Sequence, residues 1–209
     1  LSARSYAGAG YIHQGWLTED HRYFYLDDEL DETNFGHNSH TYVWDMIDLD
    51  NPVLVHTFIG STAAIDHNQF IVGNRSYQAN YRAGLRILDI TNPLAPFESG
   101  YFDTYPANNN ANFNGAWGNY PFFDSGTVIV SSIGEGLFVL LPQPLCTWRD
   151  LDCSCQVDAL DLTQAAQSWN CGLDDACYRT RADRDRDGLV TVADMMQFSA
   201  EWGWTCPAS

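Results

Sequence analysis

The chain has 209 residues and a formal net charge of −17, with no lysine and with acidic residues that are mostly aspartate. A chain this long buries a proper core, and two domains, residues 1–143 and 144–209, are expected. With no basic face to neutralise phosphates, nucleic acid is excluded as a natural partner. Aspartate-rich loops suit hard divalent cations, which take several oxygen ligands on short side chains, although an acidic surface that is merely solvated has the same composition. No apolar run approaches the roughly 20 residues of a membrane span. No signal peptide opens the chain, and it begins at Leu1 rather than Met, so a processed product or a fragment that has lost its export signal is expected.

From Tyr6 to about Pro142, short β-rich runs alternate with Gly, Asn, Asp and Pro, and no helical period of useful length intervenes. The expectation is all-β. The runs repeat loosely. Tyr42-Val43-Trp44-Asp45-Met46-Ile47-Asp48 precedes Asp50-Asn51-Pro52, Leu85-Arg86-Ile87-Leu88-Asp89-Ile90 precedes Thr91-Asn92-Pro93, and Gly136-Leu137-Phe138-Val139-Leu140-Leu141 ends at Pro142. A spacing of roughly 45 to 50 residues between equivalent strands is the length of one four-stranded propeller blade. Gln69-Phe70-Ile71-Val72 and Thr127-Val128-Ile129-Val130 read as a second set of matching strands between them.

Three strings carry a family resemblance: His13-Gln14-Gly15-Trp16-Leu17-Thr18-Glu19-Asp20, Tyr77-Gln78-Ala79-Asn80-Tyr81 and Ala116-Trp117-Gly118-Asn119-Tyr120-Pro121-Phe122-Phe123. Over residues 8–142 the chain resembles the C-terminal part of the LVIVD-repeat, choice-of-anchor B proteins. The resemblance implies a secreted β-propeller with a C-terminal attachment module and no established catalytic activity. A propeller closes with four to eight blades, whereas this stretch supplies about three. Either upstream blades are missing, or another copy of the chain completes the surface and makes it a self-assembling subunit.

The same region holds candidate catalytic or cation-binding groups: His13, Asp20, His21, the acidic run Asp27-Asp28-Glu29-Asp31-Glu32, His37, His40 and Asp66-His67-Asn68. Two carboxylates could do acid/base work in a propeller hydrolase, and the acidic run or Asp66 could hold a cation. Turn and inter-sheet hydrogen bonding is the simpler use of such groups. No Gly-x-Ser-x-Gly elbow or His-Glu-x-x-His helix accompanies them. Asn74-Arg75-Ser76 is a glycosylation sequon, which fits secretion.

All six cysteines, Cys146, Cys153, Cys155, Cys171, Cys177 and Cys206, lie in the last third. An even number in a small region reads as a disulfide framework and an oxidising compartment; zinc is the rival, but no His accompanies them and no Cys-x-x-Cys pair is present. The strongest motif is residues 183–194, Asp-Arg-Asp-Arg-Asp-Gly-Leu-Val-Thr-Val-Ala-Asp. Acids stand at positions 1, 3, 5 and 12 of a calcium loop, and Gly188 stands at position 6 where the backbone turns sharply. Calcium would take side-chain oxygens from Asp183, Asp185, Asp187 and Asp194, the carbonyl of Leu189, and Thr191 directly or through water. A second copy spans residues 150–161, where the corresponding positions are Asp150, Asp152, Ser154, Gln156, Asp158 and Asp161. The offset is 33 residues, from Asp150 to Asp183, and it also carries Trp169 onto Trp202, so duplication extends beyond the loops. Cys155 replaces the glycine and Ser154 the position-5 acid, so weaker binding, or a shape fixed by a disulfide, is expected there. A helix over 160–169 and another over 192–202 should pack about a pseudo-twofold axis.

Two such loops, each followed by a helix, with no helix before the first, resemble a type I dockerin. That resemblance implies docking to a cohesin-like partner, with selectivity from loop positions 10 and 11, here Ala159-Leu160 and Val192-Ala193, which depart from the commonest Ser-Thr pair. The cysteines depart from the family as well. Cys146 and Cys206 bracket the module and are expected to clasp its ends, with the other four pairing internally. The fold expected overall is mainly β, about three propeller blades, partial or completed by another chain, followed by a small α-helical dockerin or EF-hand-like calcium module. The function expected is extracellular, non-catalytic attachment or assembly through that module. A self-assembling filament subunit and a dockerin-targeted propeller hydrolase are the alternatives.

Overall fold

The computed structural model describes residues 2–142, 150–151, 154, 156–173, 175, 177–179, 182–185 and 187–205. The chain divides into two compact units, Leu1–Phe122 with Val128–Leu140, and Phe123–Thr127 with Leu141–Ser209.

The first unit is mainly β, and its strands form three antiparallel sheets in which neighbours in sequence are neighbours in space. The first sheet is β1 (Ile12–Leu17), β2 (Tyr23–Asp28), β3 (His40–Asp45) and β4 (Val53–Ile59). The second is β5 (Asn68–Val72), β6 (Arg75–Ala79), β7 (Leu85–Asp89) and β8 (Phe97–Phe102). The third, among the described residues, is β9 (Ala116–Tyr120), β10 (Val128–Ser132) and β11 (Gly136–Leu140). The three repeated runs of the sequence become β3, β7 and β11, the third strand of each sheet. Their terminal aspartates explain part of the repeat. Asp45 Oδ1 accepts the Ile47 N–H at 3.0 Å and Asp89 Oδ1 accepts the Thr91 N–H at 2.9 Å, so each side chain closes the turn that leaves its strand. The second set of runs does not match in the same way. The run at 69–72 lies in β5, first in its sheet, whereas that at 127–130 overlaps β10, second in its sheet. Similar apolar content hid a one-strand shift in hairpin position, because strand composition reports burial rather than order.

The second sheet packs on both faces. Tyr77, Ala79, Leu85 and Ile87 meet Ala116, Val128 and Val130 of the third sheet, while Ile71 and Leu88 meet Tyr23, Tyr25 and Val43 of the first. Side chains of a strand point alternately to opposite faces, so a sheet covered twice is buried along its length, as all five residues of β6 are. The first strands of successive sheets also lie side by side, β1 against β5 and β5 against β9. That brings the start of β5 to the end of the first sheet where β1 begins and β2 finishes.

A short helix, α1 (Asp31–Phe35), interrupts the β pattern within the acidic run. It was not expected, since five residues are too few to show a helical period. Gly36 ends it in the left-handed conformation, φ 72°, and donates its N–H to the Glu32 carbonyl.

The second unit contains α2 (Ala159–Gln167) and α3 (Val192–Ala200). Each begins on a capping box. The Asp158 side chain accepts from the Leu160 N–H and the Thr191 hydroxyl accepts from the Ala193 N–H, while Asp161 and Asp194 reach back to the N–H groups of Asp158 and Thr191. Both helices stop short of the expected Trp169 and Trp202, which are exposed at 52% and 56%. The core of this unit is Leu151, Ala165, Cys171, Tyr178, Ala182, Val190 and Phe198, with Leu162 and Met195 against it. Cys171 and Cys177 form a disulfide. Cys146, Cys153, Cys155 and Cys206, and with them the expected clasp, lie outside the described residues. No helix among the described residues is long and apolar enough to cross a membrane.

Candidate metal centres

The two loops of the second unit share a hydrogen-bond scheme residue for residue. In the second loop, Asp194 Oδ1 accepts the Arg184 N–H at 2.5 Å and Oδ2 accepts the Thr191 N–H at 2.7 Å. In the first, Asp161 Oδ1 accepts the Leu151 N–H at 2.6 Å and Oδ2 accepts the Asp158 N–H at 2.8 Å. At position 1, Asp183 Oδ1 accepts the Asp187 N–H at 3.2 Å and Asp150 Oδ1 accepts the Ser154 N–H at 3.0 Å. These first and last aspartates are buried at 3% exposure or less, whereas Asp185 and Asp187 are exposed. The buried acids thus shape the loop, and the exposed ones present their carboxylates at its surface.

The halves are also tied reciprocally. Gln156 forms a bridge with Thr205, and Leu189 with Gly172. Val157 donates its N–H to the Trp204 carbonyl at 2.9 Å and Val190 donates to the Cys171 carbonyl at 3.0 Å. Each pair maps onto the other under the 33-residue offset with the halves exchanged, which is the contact pattern of a pseudo-twofold axis. Asn170 and Gly203, matched by the same offset, both adopt positive φ, 59° and 80°, to turn the chain back.

Carboxylate oxygens of Asp183, Asp185 and Asp187 lie within 4.8 Å of one another, close enough to share a cation. Gly188 turns the loop there with φ 89°, a region that favours glycine. Desolvation, and then the charges of Asp194, Asp187 and Asp183, raise the Asp185 carboxyl above its ordinary range. Burial pushes Asp194 the same way, but the N–H groups of Thr191, Arg184 and Asp185 outweigh it and hold that carboxyl below the usual value. The Tyr178 hydroxyl donates to Asp183 Oδ2 at 2.5 Å and is itself raised by burial and by that contact. Thr191 and Asp158 spend their side chains on helix caps, a role that position-9 residues did not advertise in the sequence. Ser154 Oγ donates to the Gln156 carbonyl at 3.1 Å, and the Asp152 position lies outside the described residues.

The first unit gathers its acidic run, Asp66 and four histidines, His13, His37, His40 and His67, at one end. The β1–β2 register pairs Ile12 with Asp28 and Leu17 with Phe24, so His13 sits near Asp27 and Asp28, while Asp20 and His21 sit at the opposite end of the hairpin. Glu29 joins His13 and His67: His67 Nδ1 lies 2.5 Å from Glu29 Oε1, and His13 Nδ1 lies 3.6 Å from Oε2. The Tyr81 hydroxyl donates to the same Oε1 at 2.6 Å, and the two imidazoles stack at 4.3 Å. Burial lowers the His67 value, with Glu29 opposing. A second set is Asp31, His37 and His40, in which Asp31 Oδ2 accepts the Tyr42 hydroxyl at 2.7 Å and the two rings stack at 3.9 Å. Either set could hold a metal ion. Tyr42 and Tyr81 appear in the sequence only within strand-like runs, where aromatic residues read as core. Asn74 of the sequon lies half-buried in the β5–β6 turn.

Compared with protein-family models and with curated proteins, the chain matches none.

Proposed function

We propose that this chain is an extracellular, non-catalytic calcium-binding protein that attaches or assembles through its second unit, read as a dockerin-like module. The observation that carries the reading is the matched pair of loops, with buried aspartates at positions 1 and 12 and shared-cation geometry at Asp183, Asp185 and Asp187. An all-oxygen set on short side chains fits calcium better than a softer ion. The residues at loop positions 10 and 11, Ala159, Leu160, Val192 and Ala193, are all exposed, with Leu160 and Val192 each at 60%. Apolar residues held at matched places on two helix starts offer a docking face to a cohesin-like partner. Calcium bound only by the ordered loops would stabilise the face and make docking calcium-dependent. The three sheets of the first unit are read as propeller blades of the LVIVD type, whose own ligand stays open.

One observation favours assembly with copies of the same chain. The third sheet has three strands where the others have four, and the outer strand β11 leaves Leu137 and Val139 each 66% exposed among the described residues. An apolar edge of this kind invites a further strand, and head-to-tail contacts that do not close give open polymers. Sedimentation and negative-stain imaging with calcium and with chelator, alongside titration against type I cohesins, tests both readings. Calcium-dependent cohesin binding by a monomer supports the first. Ordered assemblies that dissolve on chelation support the second. A chain whose fold, mass and binding ignore calcium overturns both.

A further inference from the structure

Asp31, His37 and His40 have no role in the reading above, yet the chain is bent to bring them together. Asp31 opens α1, and Gly36, at φ 72°, ends the helix and turns the chain back. The loop that follows is pinned to the chain leaving β4. Asn38 Nδ2 donates to the Gly60 carbonyl at 2.9 Å, the Ser39 N–H to the Thr62 carbonyl at 3.0 Å, and the Gly60 N–H to the Ser39 carbonyl at 2.8 Å. One ligand atom from each of Asp31, His37 and His40 lies within 4.8 Å of the other two.

The hydrogen bonds around the set fix which atoms carry free electron pairs. His37 Nδ1 lies 2.7 Å from the Asn38 carbonyl oxygen, which only accepts, so Nδ1 carries the proton and Nε2 the lone pair. The Tyr42 hydroxyl spends its hydrogen on Asp31 Oδ2 at 2.7 Å, so it can only accept from His40 Nδ1, 3.3 Å away. That leaves the His40 lone pair on Nε2 as well. Asp31 is fully buried, and its Oδ1 has no hydrogen-bond partner among the described residues. A buried carboxylate oxygen without a donor is costly. Imidazoles that donate their second N–H to an oxygen, and a carboxylate oriented by an outer donor, are how metal ligands are held.

The other mixed set lacks this unmet demand, because Glu29 Oε1 already takes the Tyr81 hydroxyl at 2.6 Å and faces His67 Nδ1 at 2.5 Å. Other acids of the first unit are oriented separately. Gln69 Nε2 donates to Asp27 Oδ1 at 2.7 Å, and the Asp66 N–H to Glu32 Oε1 at 3.2 Å. A proton shared between Asp31 and Glu32 is the competing way to satisfy Asp31 Oδ1. Such a proton needs neither histidine, and the test below turns on that difference.

We propose that Asp31, His37 and His40 bind one transition-metal dication of the zinc class through a carboxylate and two imidazoles. The nitrogen ligands select that class over calcium or magnesium, which take oxygen. Three protein ligands to a four-coordinate ion leave one position for water or a further ligand. A lone pair lies in the plane of its ring, so sharing an ion requires the two rings to leave their 3.9 Å stack; both are only half-buried.

Zinc bound per full chain is measured by equilibrium dialysis in excess calcium, so that zinc is not drawn to the acidic loops of the second unit. His37→Gln and His40→Gln should each lose one zinc ion, or weaken its binding at least tenfold, whereas His13→Gln, in the other set, should keep it. Unchanged zinc binding in both His37→Gln and His40→Gln overturns the proposal, as does loss of the ion in His13→Gln alone. Neither result depends on whether the loops bind calcium. Should the variants fail to fold, the wild-type chain decides. Zinc should protect His37 and His40 from acylation by diethyl pyrocarbonate, mapped by peptide mass spectrometry, while the exposed His21 stays reactive. Equal reactivity of His37 and His40 with and without zinc overturns the proposal.

Discussion

Asp194 is a scaffold residue of the second loop and, in the proposed calcium site, also a ligand, and replacing it tests the first role apart from the second. Its carboxylate accepts the N–H groups of Arg184, Asp185 and Thr191 and the Thr191 hydroxyl, at 2.5, 3.3, 2.7 and 3.3 Å. It is fully buried and closes the capping box of α3. A hydrogen bond to a charged group contributes about 1.5–3 kcal/mol, and a lost cap costs about 0.5–2 kcal/mol. Two of the four contacts are long and the terms overlap, so Asp194→Ala should destabilise the second unit by about 3 kcal/mol in chelator, before any cation is involved. Asp185→Asn supplies the contrast. Asp185 is exposed, so its replacement should leave stability in chelator close to that of the wild-type chain. If the loop binds calcium as proposed, the wild-type chain should gain about 2.7 kcal/mol by mass action at a hundred times the dissociation constant, and both variants should lose most of that gain. Urea unfolding of the full chain, followed through the tryptophans and repeated with calcium and with chelator, measures all four quantities. A loss below about 1 kcal/mol for Asp194→Ala in chelator would refute the assignment of Asp194 as the loop's structural anchor. Equal losses for the two variants in chelator would refute the division between buried scaffold and exposed ligand.

Two further outcomes follow from single residues. Gly188→Ala forces a side chain onto φ 89°, with its Cβ placed 2.9 Å from Leu173 Cδ1, and should cost about 1–2 kcal/mol in the same unfolding assay and weaken cation binding. Glu32 gives a pH signature in chelator: burial, then the Asp31 charge, push it from an ordinary 4.5 up to about 9, so the folded state keeps a proton that the unfolded state has released. Its contribution is complete below pH 4.5 and is lost as pH rises toward 9. Unfolding of the first unit should therefore become easier by on the order of 1 kcal/mol per pH unit through that window, and thermal melts of wild type and Glu32→Gln should differ in slope there.

The acid-rich end of the first unit is where reading the residues alone fell short. The run from Asp27 to Glu32 and the pair Asp66-His67 were visible as acids and histidines, but their sequence positions say nothing of which face each other. Gln69 and Tyr42, which orient the carboxylates, belong to strands where they read as filler. The link between residues 27–32 and 66 exists only because β1 lies beside β5, a long-range contact with no local signature. Likewise Tyr178 is a core aromatic by composition, and its hydroxyl on Asp183 appears only once the loop is folded.

The sequence by itself determined what depends on spacing along the chain: the β character of the first 142 residues, the three repeated strands, two of which end on turn-closing aspartates, and the two loops with their 33-residue offset. Spacing suffices for these because turns, caps and loop ligands are set by residues within about a dozen positions of one another. Only the tertiary structure decided which oxygens were satisfied. It buried Asp150, Asp161, Asp183 and Asp194 as scaffold while leaving Asp185 and Asp187 exposed, and it left Asp66 without a donor between two sheets. Burial and hydrogen-bond satisfaction depend on groups brought together from distant positions, and no local pattern encodes that meeting.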